Sequence, residues 1–352
     1  MADIREKRCA VFGTPYRTLN EAGKNVAHSY VTNECFDGAD AIVTARLKSL
    51  DSQHCTYVRT DLVTGEEEVI FEHGVWPEFT VKNGKLYHTE GRILRVTDIR
   101  TKKSKDLWEA PYPLAGPVFV TNDEKYGSAC WKYEDRSFSL GRVNLETGIH
   151  EEFCRKSFPW PYTDASHCMI NPVNPDQIFF CHEGDCNYIT NRLWLIDRKA
   201  GTVNNIFRQK MDSEGGNGEA CGHEHWSADG KGLYFIKYIS ATVLPKGVWY
   251  CDIESGEARS VASGGAYWHV GVSPDGNRLA ADTQVPGEQS DVVLIDQKAG
   301  TEIPMVRGKT NWKHPCHPHP VFSPDGKKVC FTMLNEEGNT CVSIVSLADV
   351  EG

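Results

Sequence analysis

The 352-residue sequence has no CxxC pair, no excess of positive charge, no long apolar run and no sustained helical periodicity. Each absence excludes a class of protein. The lack of CxxC pairs argues against a structural zinc ribbon, and the thirteen scattered cysteines read as buried free thiols of a reducing compartment. A net charge of −10 argues against nucleic acid, which needs a basic face. It leaves room for a small anionic substrate, because a local basic pocket can sit on an acidic protein. No run approaches the roughly 18 apolar residues of a membrane helix. The opening MADIREKRCAVFG lacks the apolar segment of a secretory signal, so the expected location is cytoplasmic. The missing 3.6-residue periodicity disfavours α/β folds.

What the chain does have is repetition. One pattern recurs as DLVTG (61–65), DIRTK (98–102), NLETG (144–148), DRKAG (197–201), DIESG (252–256) and DQKAG (296–300), with a degenerate SLADV at 346–350. Measured at the fifth position, the spacings are 37, 46, 53, 55, 44 and 50 residues. A second pattern precedes the later copies: SADGKGLYF (227–235), SPDGNRLAA (273–281) and SPDGKKVCF (323–331). Proline presets the first turn dihedral, glycine supplies positive φ, and the alternating apolar residues that follow make a half-buried strand. Each unit therefore reads strand, turn, strand, turn, strand. This is the pattern of a propeller blade. The expected architecture is all-β, a seven-bladed β-propeller forming a single domain over 1–352. A strand around Arg8–Phe12 is expected to complete the last blade. The turns hold blades together and carry no chemistry.

The histidines are unevenly spread. His314, His317 and His319 lie in WKHPCHPHPVFSPDG, His223 and His225 in GHEHWSADG, and His269 in YWHVGVSPDG. These three segments each lead into an SPDG-type turn, the same place in successive blades, and equivalent places converge around a propeller axis. Prolines 315, 318 and 320 forbid a helix. In an extended segment residues two apart point the same way, so His317 and His319 can reach one ion. His314 and His269 are candidates for two further nitrogens. Imidazoles suit Zn, Fe, Ni, Cu and Mn, and ligand type does not choose among them. His223 and His225 are expected on one face of their strand, one of them with a structural role.

At these residues the sequence resembles the oligogalacturonate lyases, a family of seven-bladed propeller polysaccharide lyases. The segments that carry the resemblance are NECFDGAD (33–40), HCMINPVNPDQIFFCHEG (167–184), NRLWLIDRKAG (191–201), GHEHWSADG (222–230), WHVGVSPDG (268–276) and HPHPVFSPDG (317–326). The resemblance implies a Mn²⁺ site on His269, His314, His317 and His319, with His314 standing where the family usually has Gln. It also implies a catalytic base at His223 and an assisting arginine at Arg192. The implied reaction is β-elimination on short oligogalacturonides. A base removes the C5 proton, and the O4 glycosidic oxygen leaves. Imidazole has the right basicity, and an arginine can pair with a carboxylate. His167, His182, Arg136, His225 and Glu183 are candidates for binding hydroxyls or a second carboxylate, or for structural roles. Trp226, Trp268 and Trp312 either stack on sugar rings or pack blade cores. Two alternatives stay open: a lyase for another uronic-acid glycoside such as a rhamnosyl-glucuronate unit, and a non-catalytic propeller that binds a partner.

Overall fold

The computed structural model describes residues 1–30, 33–52 and 54–350. The described strands form successive antiparallel sheets, the seven blades of an all-β propeller. By its internal contacts the chain divides into two compact units. One comprises Met1–Tyr87, Thr97–Ser104 and Gly264–Gly352, and the other His88–Val96 with Lys105–Ser263. Among the described residues no helix is long and apolar enough to cross a membrane.

The first unit holds the blade Asn25–Ala27, Ala41–Leu47, His54–Asp61 and Glu67–Val75, and the blade Tyr267–Val272, Arg278–Val285, Gln289–Asp296 and Thr301–Lys309. It also holds a blade built from both chain ends. There Val321–Phe322, Lys328–Leu334 and Thr340–Ser346 are followed by Pro15–Asn20, which pairs with Thr340–Ser346, and then by Asp3–Arg8. The closing strand is therefore Pro15–Asn20 and not the expected Arg8–Phe12. The segment after Arg8 is a turn, with the Gly13 amide donating to the Cys9 carbonyl at 2.8 Å and the Cys9 amide to the Thr14 carbonyl at 2.8 Å. Proline at the first position of the strand loses no ladder bond that an interior residue would need.

The second unit holds Tyr126–Lys132, Phe138–Asn144 and His150–Lys156; then Asp164–Ile170, Gln177–Glu183, Leu193–Asp197 and Thr202–Phe207; then Cys221–Trp226, Gly232–Lys237, Gly247–Asp252 and Ala258–Ala262. One more four-stranded sheet comprises Phe79–Lys82, Lys85–Glu90, Ile93–Asp98 and Ser104–Glu109. Each unit buries its own apolar clusters, around Tyr57, Phe79 and Phe331 in the first and around Phe179, Phe180 and Phe235 in the second.

The repeats do the structural work that their chemistry predicts. Asp61 Oδ1 accepts the amides of Val63 and Thr64 at 2.9 and 2.8 Å, and Asn144, Asp252 and Asp296 repeat the arrangement. The turn then needs positive φ, which Gly65, Gly148 and Gly256 supply at 72°, 70° and 71°. In DIRTK, which lacks the glycine, Lys102 takes φ 60° instead.

Candidate active site and metal centre

In the first unit, the strand Tyr267–Val272 bulges against its neighbour, with the register shifting between Tyr267 and His269. The bulge sets His269 directly opposite Asp282. Both are fully buried. The proline-rich run at 314–320 then crosses close by: a Cβ on Gly271 would lie 2.2 Å from the Pro320 carbonyl oxygen, so only glycine admits this approach. One nitrogen each of His269, His317 and His319 falls within 4.8 Å of the others. The Nε2 atoms of His269 and His319 are 2.9 Å apart.

Two residues that the histidine pattern does not contain hold this cluster. Asp282 accepts the His269 amide at 2.8 Å on Oδ1, and on Oδ2 the His319 amide at 3.1 Å and the His269 Nδ1–H at 2.7 Å. This fixes the His269 proton on Nδ1 and leaves a lone pair on Nε2, the arrangement that metal-ligating histidines use. Burial pushes the Asp282 carboxyl up to about 7, against the pull of the two backbone amides. His28, also buried, places Nε2 2.7 Å from the His319 carbonyl and Nδ1 2.6 Å from Thr332 Oγ1. An aspartate inside the apolar run RLAADTQV was the one sequence signal for Asp282.

His317 decides whether the cluster fits a metal. It is buried, yet neither ring nitrogen makes a well-formed hydrogen bond among the described residues, the Trp312 backbone being the polar group that comes near. Burial also lowers its pKa, which favours the neutral, ligating form. Buried polar atoms without partners are costly, and a divalent cation would satisfy them. His314 is exposed, its ring centroid 4.2 Å from that of His317, and the set of three converging nitrogens does not include it.

The second unit carries a different cluster. Two inner strands bulge at matching places, between Ser166 and Met169 and between Gly222 and His225. The first bulge residue in each, His167 and His223, takes the left-handed conformation, with φ 50° and 53°. Such backbone strain in a non-glycine residue is a mark of functional sites. The bulge also breaks the two-residue alternation that would place His223 and His225 on one face. His223 Nδ1 meets the Tyr238 hydroxyl at 3.1 Å, whereas His225 Nδ1 donates to the Trp226 carbonyl at 2.7 Å.

Glu224 lies between them and is buried. It takes His167 Nδ1 at 2.9 Å on one oxygen and Arg192 Nε at 3.4 Å on the other. Arg192 also forks onto Glu183, with both bonds 3.2 Å long. Burial alone would raise the Glu224 carboxyl. The His167 hydrogen bond and the Arg192 charge outweigh it and hold Glu224 far below the usual carboxylate range. Gly222 makes room for the group, since a Cβ there would lie 2.2 Å from the Tyr238 hydroxyl and 3.1 Å from Arg192 Nε.

The remaining candidates fall elsewhere. His182 is held at both nitrogens, by Asn191 Oδ1 at 2.9 Å and the Tyr162 carbonyl at 2.8 Å, and stacks on Phe158 at 3.8 Å. Arg136 sits on an exposed turn, where its charge helps keep Asp164 low behind the hydrogen bond from Lys132. Trp226 is core, its Nε1 donating to the Met169 carbonyl at 3.1 Å.

Comparison with known proteins settles the family. Residues 120–350 match the family model described as oligogalacturonate lyase, well over half of the chain. The chain belongs to the oligogalacturonate lyase family. It is 25% identical to the oligogalacturonide lyase of Pectobacterium atrosepticum over 286 residues, 70% of this chain and 71% of that one. It is 23% identical to the oligogalacturonate lyase of Dickeya dadantii over 366 residues, 92% of this chain and 91% of that one. In structure it matches an oligogalacturonate lyase solved in complex with manganese, with a TM-score of 0.84 at 20% identity over 98% and 96% of the two chains. The Vibrio parahaemolyticus oligogalacturonate lyase matches with a TM-score of 0.82 at 18% identity, over 98% and 97% of the chains. Of the residues that membership of this family brings into question, His269, His317 and His319 come together in one unit. His223 lies within one residue of the Arg192–Glu224 cluster in the other.

Proposed function

We infer that this protein is a metal-dependent carbon–oxygen lyase that cleaves short oligogalacturonides by β-elimination, with manganese as its metal. Membership of the oligogalacturonate lyase family supports the reaction. The single structural observation that carries the reading is His317, a buried imidazole with two unsatisfied nitrogens inside a set of three converging histidines. His269, His317 and His319 would hold the metal, with His314 beside them. The manganese complex of a structural relative supports the choice of ion.

The reaction must remove a C5 proton beside an anionic carboxylate and expel O4. The C5–H and C4–O4 bonds break, a C4–C5 double bond forms, and the departing O4 takes up a proton. A divalent cation held by these histidines would neutralise the substrate carboxylate and stabilise the negative charge that develops as C5 loses its proton. His223 is the base. For Nε2 to accept the proton, Nδ1 must keep its own, and the Tyr238 hydroxyl 3.1 Å away can accept it. Glu224 and Glu183 lock the Arg192 guanidinium in place by three of its five N–H groups. Arg192 supplies positive charge beside the base. A reducing compartment fits the thirteen cysteines, all of them free thiols.

The test is a lyase assay on digalacturonate and trigalacturonate after chelation and again after resupply of Mn²⁺. It follows the ultraviolet band of the C4–C5 unsaturated product. A metal-dependent rise is expected. Absence of product at full metal occupancy would sink the substrate assignment.

A further inference from the structure

Beside the second-unit cluster lies a cavity of about 480 Å³ that the mechanism above does not use. Its walls include Trp160, Tyr162, Tyr188, Trp194, Asn191 and Arg208. Two of the rings are unusually open for residues of their type: Trp160 is 81% exposed and Tyr188 69% exposed. Large aromatic rings left in water on one patch mark binding surfaces rather than cores.

The patch is built, not accidental. Tyr162 packs against Gly184, where a Cβ would lie 2.5 Å from the ring. Gly184 takes φ 148°, which a side chain would resist. Trp194 is pinned by its Nε1 bond to the Asn191 carbonyl at 2.6 Å. His182 clamps both sides at once, bonding Asn191 and the Tyr162 carbonyl. Arg208 is exposed, and no carboxylate pairs with it among the described residues.

The cavity also adjoins the catalytic cluster in the chain. Asn191 precedes Arg192, and His182 precedes Glu183, so the residues that form its wall are one step from the Arg192–Glu183 pair. Rigid aromatic faces suit the apolar faces of sugar rings, side-chain amides suit hydroxyls, and an unpaired guanidinium suits a carboxylate. The volume falls within the range of small-ligand sites. The geometry points to a distal subsite for a uronic-acid ring, which binds the part of the oligosaccharide that is not being cleaved. The choice of a uronate rests on the lyase reading.

The experiment measures binding to metal-free protein, in which cleavage does not run, by calorimetry with digalacturonate, trigalacturonate and tetragalacturonate. Trp160→Ala and Arg208→Gln are compared with the parent. Both side chains are exposed, so folding is unaffected. Each variant is expected to bind the longer oligomers about three- to tenfold more weakly, the size of one stacking or charge contact. Digalacturonate, which has the fewest rings to place outside the cleavage point, should change least. Equal affinity of parent and variants at every length overturns the subsite, as does failure of the parent to bind any of them. The lyase assay separates the two readings. Product formation with unchanged affinities removes the subsite alone. Weaker binding by Trp160→Ala without any product in the parent removes the lyase reading and leaves the subsite standing.

Discussion

Asp282 fixes His269 in the tautomer that a metal requires: Oδ2 lies 2.7 Å from Nδ1, and both groups are fully buried. The same carboxylate takes the backbone amide of His319, so one side chain aligns two of the converging histidines, from two segments. Asp282→Asn keeps the shape but offers an N–H where an acceptor is needed. Manganese affinity should fall about 10- to 100-fold, the usual cost of losing such an orienting partner. Titration of the chelated protein followed by electron paramagnetic resonance reads this directly. Unchanged affinity would mean that the carboxylate does not orient the ligand.

His317 and His314 should separate cleanly. His317→Ala removes a buried imidazole whose two ring nitrogens are both unsatisfied among the described residues and should abolish manganese binding and activity together. It should also leave the fold intact or more stable without metal, because an unsatisfied buried group is gone. His314→Ala, at an exposed position beside the cluster, should weaken binding by about tenfold or less. Metal content after dialysis distinguishes the two, and equal losses would make His314 a full ligand.

The blades were legible because turn chemistry is local. An Asp or Asn that caps a turn and a glycine at positive φ are properties of five neighbouring residues. The copy DIRTK shows the rule by breaking it, since Lys102 takes φ 60° where DLVTG, NLETG and DIESG have glycine. The convergence of His317 and His319 was legible for the same reason, as two-residue spacing is also local. Asp282, Glu224 and His28 were not. Their roles come from packing against segments 37, 57 and 291 residues away. The bulges at His167 and His223 were hidden too, because a bulge depends on the partner strand and not on the residues that form it.

Lys102→Gly should therefore stabilise the protein. It relieves a left-handed lysine at the expense of added freedom in the unfolded chain, for a net gain of about 0.5–1 kcal/mol. The lost contact with Glu68, 3.8 Å long and exposed at both ends, is worth little. A thermal midpoint higher by about 1–2 °C is expected, and no rise would show that the turn bears no strain.

Glu224 gives the second unit a pH dependence of known sign. Its carboxyl titrates lower in the folded protein than in the unfolded chain, where it is near 4.5. Between those two values the unfolded state binds the extra proton, so stability falls as pH falls. Above the unfolded value the contribution is fully present. Glu224→Gln should be less stable than the parent at pH 7 by about 3 kcal/mol, because Arg192 loses a buried partner. The gap should narrow as pH drops below 4.5. Denaturation midpoints at pH 7 and pH 4 test this, and a gap that stayed constant would remove Glu224 as the titrating group.

Tyr238 supplies the last test, because it separates the base from its tautomer. His223→Ala should lower kcat about 10²- to 10⁴-fold while manganese remains bound, the share of a general base. Tyr238→Phe leaves His223 in place and removes only the hydroxyl 3.1 Å from Nδ1. If that hydroxyl holds the proton on Nδ1, its loss frees the ring to carry the proton on Nε2, where it cannot accept another. The expected result is a lower kcat at nearly constant KM, a fall that added metal does not correct. A rise in KM with kcat unchanged would assign Tyr238 to substrate binding instead, and His223 would need another group to hold its tautomer.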